Sequence, residues 1–410
     1  VNLPTSCVVD FTEGYTVTLN VINGSTSPVS KVVGRDGVTS FTVTPNSGYK
    51  LELESDTCNG TLSGNTYTIS NITGNKTCSI TFKQYLPLYD KILADNTTIK
   101  TRTDFNTTFT ETNTGTLYKA TESIAGNTPK DVYYFAGDAK NNWVKFAGFY
   151  WRIIRTNDDG SIRLLYSGTS HNTTSGYIWT SAFNSPYNDP MHVGYMYGTT
   201  GSLENNRLNT NNSAIKTYID NWYKNNLSSY SKYISTEAVY CNDRELAPGS
   251  TYNTGNTSFG YATKGRLNTN KTPTYNCTNI KDAFSGSNSE AKLTYPIGLM
   301  TADEIAYAGG KEFTSLPSPY AWYYLNSAGE SITGSTYWWS LSPFGWSGSY
   351  STVWVVFVSS NPGYLSYIRA NDTSYGVRPA ISLKTCIKYS TGNGAPETPY
   401  EIILDPDISC

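Results

Sequence analysis

Charge is scarce in this chain. Only 15% of its 410 residues are charged and the net charge is −2. Lysine and arginine form no run, so the electrostatic footprint of a nucleic-acid or anionic-lipid binder is missing. Histidine is nearly absent. His171 and His192 are the only two, each in a stretch that reads as polar loop, so no Ser-His-Asp grouping can be assembled. The seven cysteines include no CxxC pair, which disfavours zinc. No apolar stretch approaches membrane-spanning length. No secretory leader opens the chain, as expected of a processed protein or a fragment, and no sorting signal closes it.

What is abundant is tyrosine, with 34 copies, set among Thr, Ser, Asn and Gly. That mixture suits β-rich surfaces joined by long loops. The cysteines point to disulfides and an oxidising compartment. The expected staples are Cys58 with Cys78, Cys241 with Cys277 and Cys386 with Cys410, leaving Cys7 over. The alternative is buried free thiols.

Residues 12–84 carry TVTLNV, TSFTVTP, YKLELES, TYTIS and CSITF, each alternating apolar and polar residues and separated by turns such as Asn23-Gly24. This predicts a small antiparallel all-β domain. It resembles the bacterial surface β-repeat found in tandem in adhesins and related to the internalin B-repeat group. Ser6-Cys7-Val8-Val9-Asp10-Phe11 reads like Thr77-Cys78-Ser79-Ile80-Thr81-Phe82. Residues 1–11 are therefore expected to be the last strand of a preceding repeat, with the partner of Cys7 upstream, or else a strand completing the first sheet. Residues 85–130 read as a linker or extended segment, with Leu86, Leu88, Ile92 and Leu93 able to form a short helix or pack against a neighbour, and with part of the segment expected to lie along the next domain as extended chain.

A second domain is expected over 131–410. Trp143–Phe146, Phe149–Arg155 and Ser161–Tyr166, joined through Asn157-Asp158-Asp159-Gly160, predict a β-hairpin with positive φ at Gly160. Arg152, Arg155 and Arg163 are expected on its solvated face. Residues 213–227 predict a helix capped by Ser213, with Ile215, Tyr218, Ile219 and Trp222 on the buried side. Thr301-Ala-Asp-Glu304 before Gly309 reads as a capping box and a glycine stop. Helices, a β scaffold and long loops make an α+β domain. Its tail, from Thr391 on, reads as a glycine-rich loop and a closing strand.

The remaining signal is the stretch 337–383, which packs aromatics among Ser, Gly and Asn. Two readings follow from composition: an aromatic-rich β core, or a paratope-like surface of rigid Tyr and Trp with adaptable polar neighbours.

The ordered set Trp143-Val-Lys-Phe-Ala-Gly148, Trp222-Tyr223, Tyr240-Cys-Asn-Asp-Arg244, Leu293-Thr-Tyr-Pro-Ile-Gly-Leu299, Thr301-Ala-Asp-Glu304, Trp338-Trp-Ser-Leu-Ser-Pro343 and Gly376-Val-Arg-Pro379 resembles a family of surface proteins from gut Firmicutes. Their C-terminal region is similar to the C-type-lectin fold in its formylglycine-generating-enzyme-like version. The resemblance implies a variable protein of a diversity-generating retroelement. Adenine-directed mutation of Asn codons cannot create Trp, Lys, Glu, Gln or Met, and residues 331–383 contain no Lys, Glu, Gln or Met. On this view Trp338, Trp339, Trp346, Trp354 and Arg378 are fixed framework. Phe344, Ser347, Tyr350, Val355, Phe357, Tyr364, Ser366, Tyr367, Arg369, Asn371, Asp372, Ser374 and Tyr375 are the expected ligand-binding set, with Leu365 and Ile368 facing the core.

The expected role is an extracellular adhesion or recognition protein, not an enzyme. Its partner would be a protein or glycan on another cell or host surface, with no cofactor and no metal. The sugar-lectin groupings Glu-Pro-Asn and Trp-Asn-Asp are replaced here by Ser360-Asn-Pro362 and Ala370-Asn-Asp372. No pair of cysteines has thiolate-activating surroundings. The alternatives are a subunit or tip of a surface filament, contacting its neighbours in the fibre, and a phage receptor-binding protein.

Overall fold

The computed structural model describes residues 14–404. It is a mixed α/β protein built mostly of sheet, with 38% strand and 15% helix. The chain parts into two compact units between Leu86 and Pro87.

Among the described residues the first unit has eight strands: β1 (Gly14–Ile22), β2 (Gly24–Ser27), β3 (Ser30–Gly34), β4 (Gly37–Pro45), β5 (Tyr49–Asp56), β6 (Thr61–Ser63), β7 (Thr66–Ile72) and β8 (Lys76–Gln84). They form two four-stranded sheets, ordered β3-β1-β8-β5 and β2-β4-β7-β6. Every second residue points inward, as the alternation requires. Val17, Leu19, Phe41, Val43, Tyr67, Ile69, Cys78, Ile80 and Phe82 make one buried cluster shared by both sheets. Cys78 is bonded to Cys58. One expectation needs correcting: β1 pairs with β8 in parallel, from Val17 opposite Lys76 to Ile22 opposite Thr81. The segment between them carries the other sheet, so a plain antiparallel meander is not what forms. The proposed repeat remnant at 1–11 and Cys7 lie outside the described residues, as does Cys410, the expected partner of Cys386.

The stretch expected as a linker is built into the second unit from Pro87 on. Helix α1 (Leu88–Asp95) buries Leu88 and Ile92, and Thr98–Lys100 joins Thr116–Tyr118 as a parallel strand. The segment runs along the unit because Arg102 donates to the Tyr307 carbonyl (2.6 Å) and stacks on Phe105 and Phe109. The expected boundary at 131 is therefore replaced by one at 87.

A ten-stranded sheet forms the scaffold. Its centre is the expected hairpin: Phe149–Thr156 pairs with Ile162–Tyr166, and Gly160 has φ +79°. The helix Ala214–Asn226 begins where Ser213 Oγ accepts the Lys216 N–H. It buries Ile215, Ile219 and Tyr223, with Lys216 and Asp220 as a buried ion pair (2.6 Å). Tyr218 and Trp222 are only half-buried, although Trp222 still packs on Phe149 and Tyr166. The helix Ala302–Ala308 has the reciprocal capping box of Thr301 and Glu304 and ends at Gly309, whose φ of +122° only glycine adopts readily.

The three hairpin arginines are the main correction. Arg152, Arg155 and Arg163 are 3%, 2% and 1% exposed. Glu122 accepts two bonds from Arg155 (2.9 and 2.8 Å), while Glu304 Oε1 accepts from Arg155 Nε and from Arg163 Nη1 (both 2.9 Å). Period-two patterning cannot announce this, because the partners lie 33 and 149 residues from Arg155. A small cavity of about 20 Å³ beside the cluster has room for a single water. Desolvation works to raise the Glu304 carboxyl, but Arg163 and Arg155 outweigh it and hold the pKa below its ordinary 4.5. The second staple, Cys241–Cys277, is also formed.

A group depressed in the folded state stabilises above its unfolded pKa and loses that contribution as pH falls through the folded value. Stability is therefore expected to drop below about pH 4.5. Glu304→Gln should cost about 3–5 kcal/mol at neutral pH, because it leaves two guanidiniums short of a counter-ion, and should flatten that acid limb. Denaturant midpoints of both proteins across pH check it.

Candidate functional site

A separate four-stranded sheet carries the stretch singled out in the sequence. Its order is Phe259–Gly260, Trp338–Trp346, Ser351–Val356 and Leu365–Arg369. Opposite residues in antiparallel strands share a face. Trp354 faces Tyr367, and Thr352 faces Arg369. That register decides which side is displayed.

The expected arrangement put Val355 outward and Trp354 inward on the opposite side; the pairing places them differently. Val355 lies opposite Trp339 and Ser366 and is fully buried. Trp354 is also fully buried, but on the displayed side, beneath the ring of Phe344 (4.8 Å, edge-on) and the ring of Phe313 (6.0 Å). Tyr367, 40% exposed, stacks flat on Phe344 with centroids 3.7 Å apart.

From there the aromatics continue without a break. Phe313 touches both Tyr367 and Tyr364, Tyr364 touches Phe357, and Phe357 stacks on Tyr337 at 4.4 Å. Tyr364, Phe357 and Tyr337 are each half-buried. At the other end of the sheet Arg369 lies 4.6 Å over the ring of Tyr350. Two turns meet there. Ser347 Oγ caps the first by accepting from Ser349 and Tyr350, and Asp372 caps the second by accepting from Ser374.

Of the expected ligand-binding residues, Ser347, Tyr367, Arg369 and Ser374 are exposed and Tyr350, Phe357, Tyr364, Asn371 and Asp372 are half-buried. Four are not. Val355 belongs to the core; Ser366 is buried beside it. Tyr375 is 6% exposed, packed on Trp339 and Tyr337, and burial pushes its hydroxyl up to about 12. Phe344 is 7% exposed and acts as the base of a stack. Leu365 is buried as expected, but Ile368 is only half-buried.

The tryptophans Trp338, Trp339, Trp346 and Trp354 are all buried, Trp346 donating to the Gly255 carbonyl (2.8 Å). Arg378 is fully buried and donates to the carbonyls of Tyr323 (2.7 Å) and Tyr166 (3.2 Å), with Trp338 under its guanidinium.

Two contributors were not legible in the sequence. Phe313 reaches the face because its N–H donates to the Leu365 carbonyl (2.9 Å) at the sheet edge. Its φ of +49° is a left-handed conformation that a bulky side chain rarely takes, and strain of that kind, costing about 1–3 kcal/mol, gathers at functional surfaces. Lys264 sits 4.8 Å over Phe344 and lines an adjoining cleft of about 190 Å³ with Ser250 and Thr269. Neither lies in a periodic segment, so no pattern marks them. His192, read as a loop residue, is buried, and burial lowers its pKa. Among the described residues no three of His, Cys, Asp and Glu converge to hold a metal ion.

Comparison with known proteins finds no family model, no curated protein and no solved structure that matches this chain.

If Trp354 is scaffold and Tyr367 is display, their truncations should separate. Trp354→Ala is expected to cost about 3–5 kcal/mol. Tyr367→Ala should cost only about 1 kcal/mol, the worth of one exposed stack. Urea unfolding of the two variants measures both.

Proposed function

We propose that this is an extracellular bacterial surface protein that binds a protein or glycan partner through the aromatic face at 344–375. The second unit would be a C-type-lectin-like domain serving as a diversified binding module, not an enzyme. The observation that carries this reading is the unbroken run of partly exposed rings from Tyr367 through Phe313, Tyr364 and Phe357 to Tyr337, beside buried tryptophan.

Aromatic side chains supply contact area at low entropic cost, and Tyr and Trp are enriched among interface hot spots. Here they are held by backbone pairing and by rings beneath them, so little order is lost on binding. The nine displayed members of the expected set all lie in the stretch free of Lys, Glu, Gln and Met, which agrees with diversification by adenine-directed mutation. The disulfides Cys58–Cys78 and Cys241–Cys277 suit an oxidising compartment. Among the described residues no helix is long and apolar enough to cross a membrane.

The test is binding to arrays of surface proteins and glycans by the wild-type chain and by Phe313→Ser, Tyr364→Ser and Tyr367→Ser. Each substitution is expected to weaken a detected interaction by about tenfold or more, about 1.4 kcal/mol, with circular dichroism unchanged. Equal binding by all three variants would refute the face and leave the filament-subunit reading.

A further inference from the structure

The third hairpin arginine points to a second site. Arg155 and Arg163 end on carboxylates, but Arg152 forms no ion pair among the described residues. Its Nε donates to Asn142 Oδ1 (2.6 Å), Nη2 to the Ala139 carbonyl (3.0 Å) and Nη1 to the Leu325 carbonyl (3.3 Å). These are neutral acceptors and engage three of the five guanidinium N–H groups.

The group is 3% exposed, held between Trp143 (4.2 Å) and Trp322 (5.5 Å). Burial, with Arg378 nearby, lowers its pKa to about 9. A buried charge without a counter-ion is costly to keep. Asp138 stands in the same wall, but its carboxylate already takes the Lys140 ammonium (2.7 Å) and the Thr112 hydroxyl (2.8 Å).

Beside Arg152 opens a cleft of about 250 Å³, bounded by Trp143, Asp138, Lys140, Ala328 and Pro396. Its wall holds two cations and one carboxylate. That leaves one uncompensated positive charge, and the cleft is too large for a bare ion alone. It shares no residue with the aromatic face.

We propose that this cleft binds a small organic monocarboxylate, whose oxygens accept the two remaining Arg152 N–H groups while its body fills the space toward Ala328. Lys140 stands at the rim and Asp138 disfavours a dianion.

The test is isothermal titration and thermal unfolding of the full chain with sodium lactate, against sodium chloride at matched ionic strength and against inorganic phosphate. Lactate is expected to bind saturably and raise Tm. Ala328→Phe, which fills the cleft from an exposed position without touching Arg152, should abolish both effects. Arg152→Gln should weaken binding by at least about tenfold; should that variant not fold, Ala328→Phe decides. No saturable binding by the wild type, an undiminished response in Ala328→Phe, or tighter binding of phosphate than of lactate would each overturn the proposal.

Discussion

The second unit depends on a buried ion cluster. Glu304 stands on the first turn of a short helix, Glu122 on a strand that precedes the hairpin, and Arg155 and Arg163 on the hairpin itself. Four charges almost without solvent contact are tolerable only because every carboxylate oxygen is used. The remaining Glu304 oxygen takes the Thr301 N–H (2.9 Å), and Glu122 also takes the Asp158 N–H (2.7 Å). The cluster therefore fixes the turn at Asp158, the start of the helix and the spacing of the strands at once. Hydrophobic contacts could hold these elements together, but would define their register less sharply.

A comparable arrangement recurs nearby. Asp282 accepts from Arg207 and Arg244, while Arg266 bridges Asp243 and Asp303. These residues lie in long irregular segments with few regular backbone bonds of their own. Directional, fully satisfied polar contacts do there what strand pairing does in the sheets. Against that fixed background the aromatic sheet is layered: indoles below, phenols above. Its lower layer is set by packing and its upper layer by contact with water, so the two tolerate substitution differently.

Local signals in the sequence were sound where the physics is local. The capping box at Thr301, the Ser213 cap, the hairpin with Gly160 and the alternation in the first unit all depend on residues within a few positions of each other. The failures concern long range. Arg155 looks like a solvated strand residue until Glu122 and Glu304 arrive from distant parts of the chain. Val355 and Trp354 alternate as expected, yet which of them faces outward is decided by loops that cover one side. Val355 is sealed in, whereas above Trp354 there is only a single layer of rings. Phe313 joins that layer through a backbone bond to Leu365 that no periodicity encodes, and Tyr375 leaves it because Trp339 and Tyr337 close around its ring.

The Cys241–Cys277 bond encloses the segment that supplies Phe259–Gly260 to the aromatic sheet and Lys264 to its rim. A loop pinned at its base is inexpensive to lengthen, since doubling its span adds only about 0.6 kcal/mol of closure entropy. The border of the aromatic sheet can thus acquire or shed residues between the two sulfurs while the sheet beneath keeps its shape.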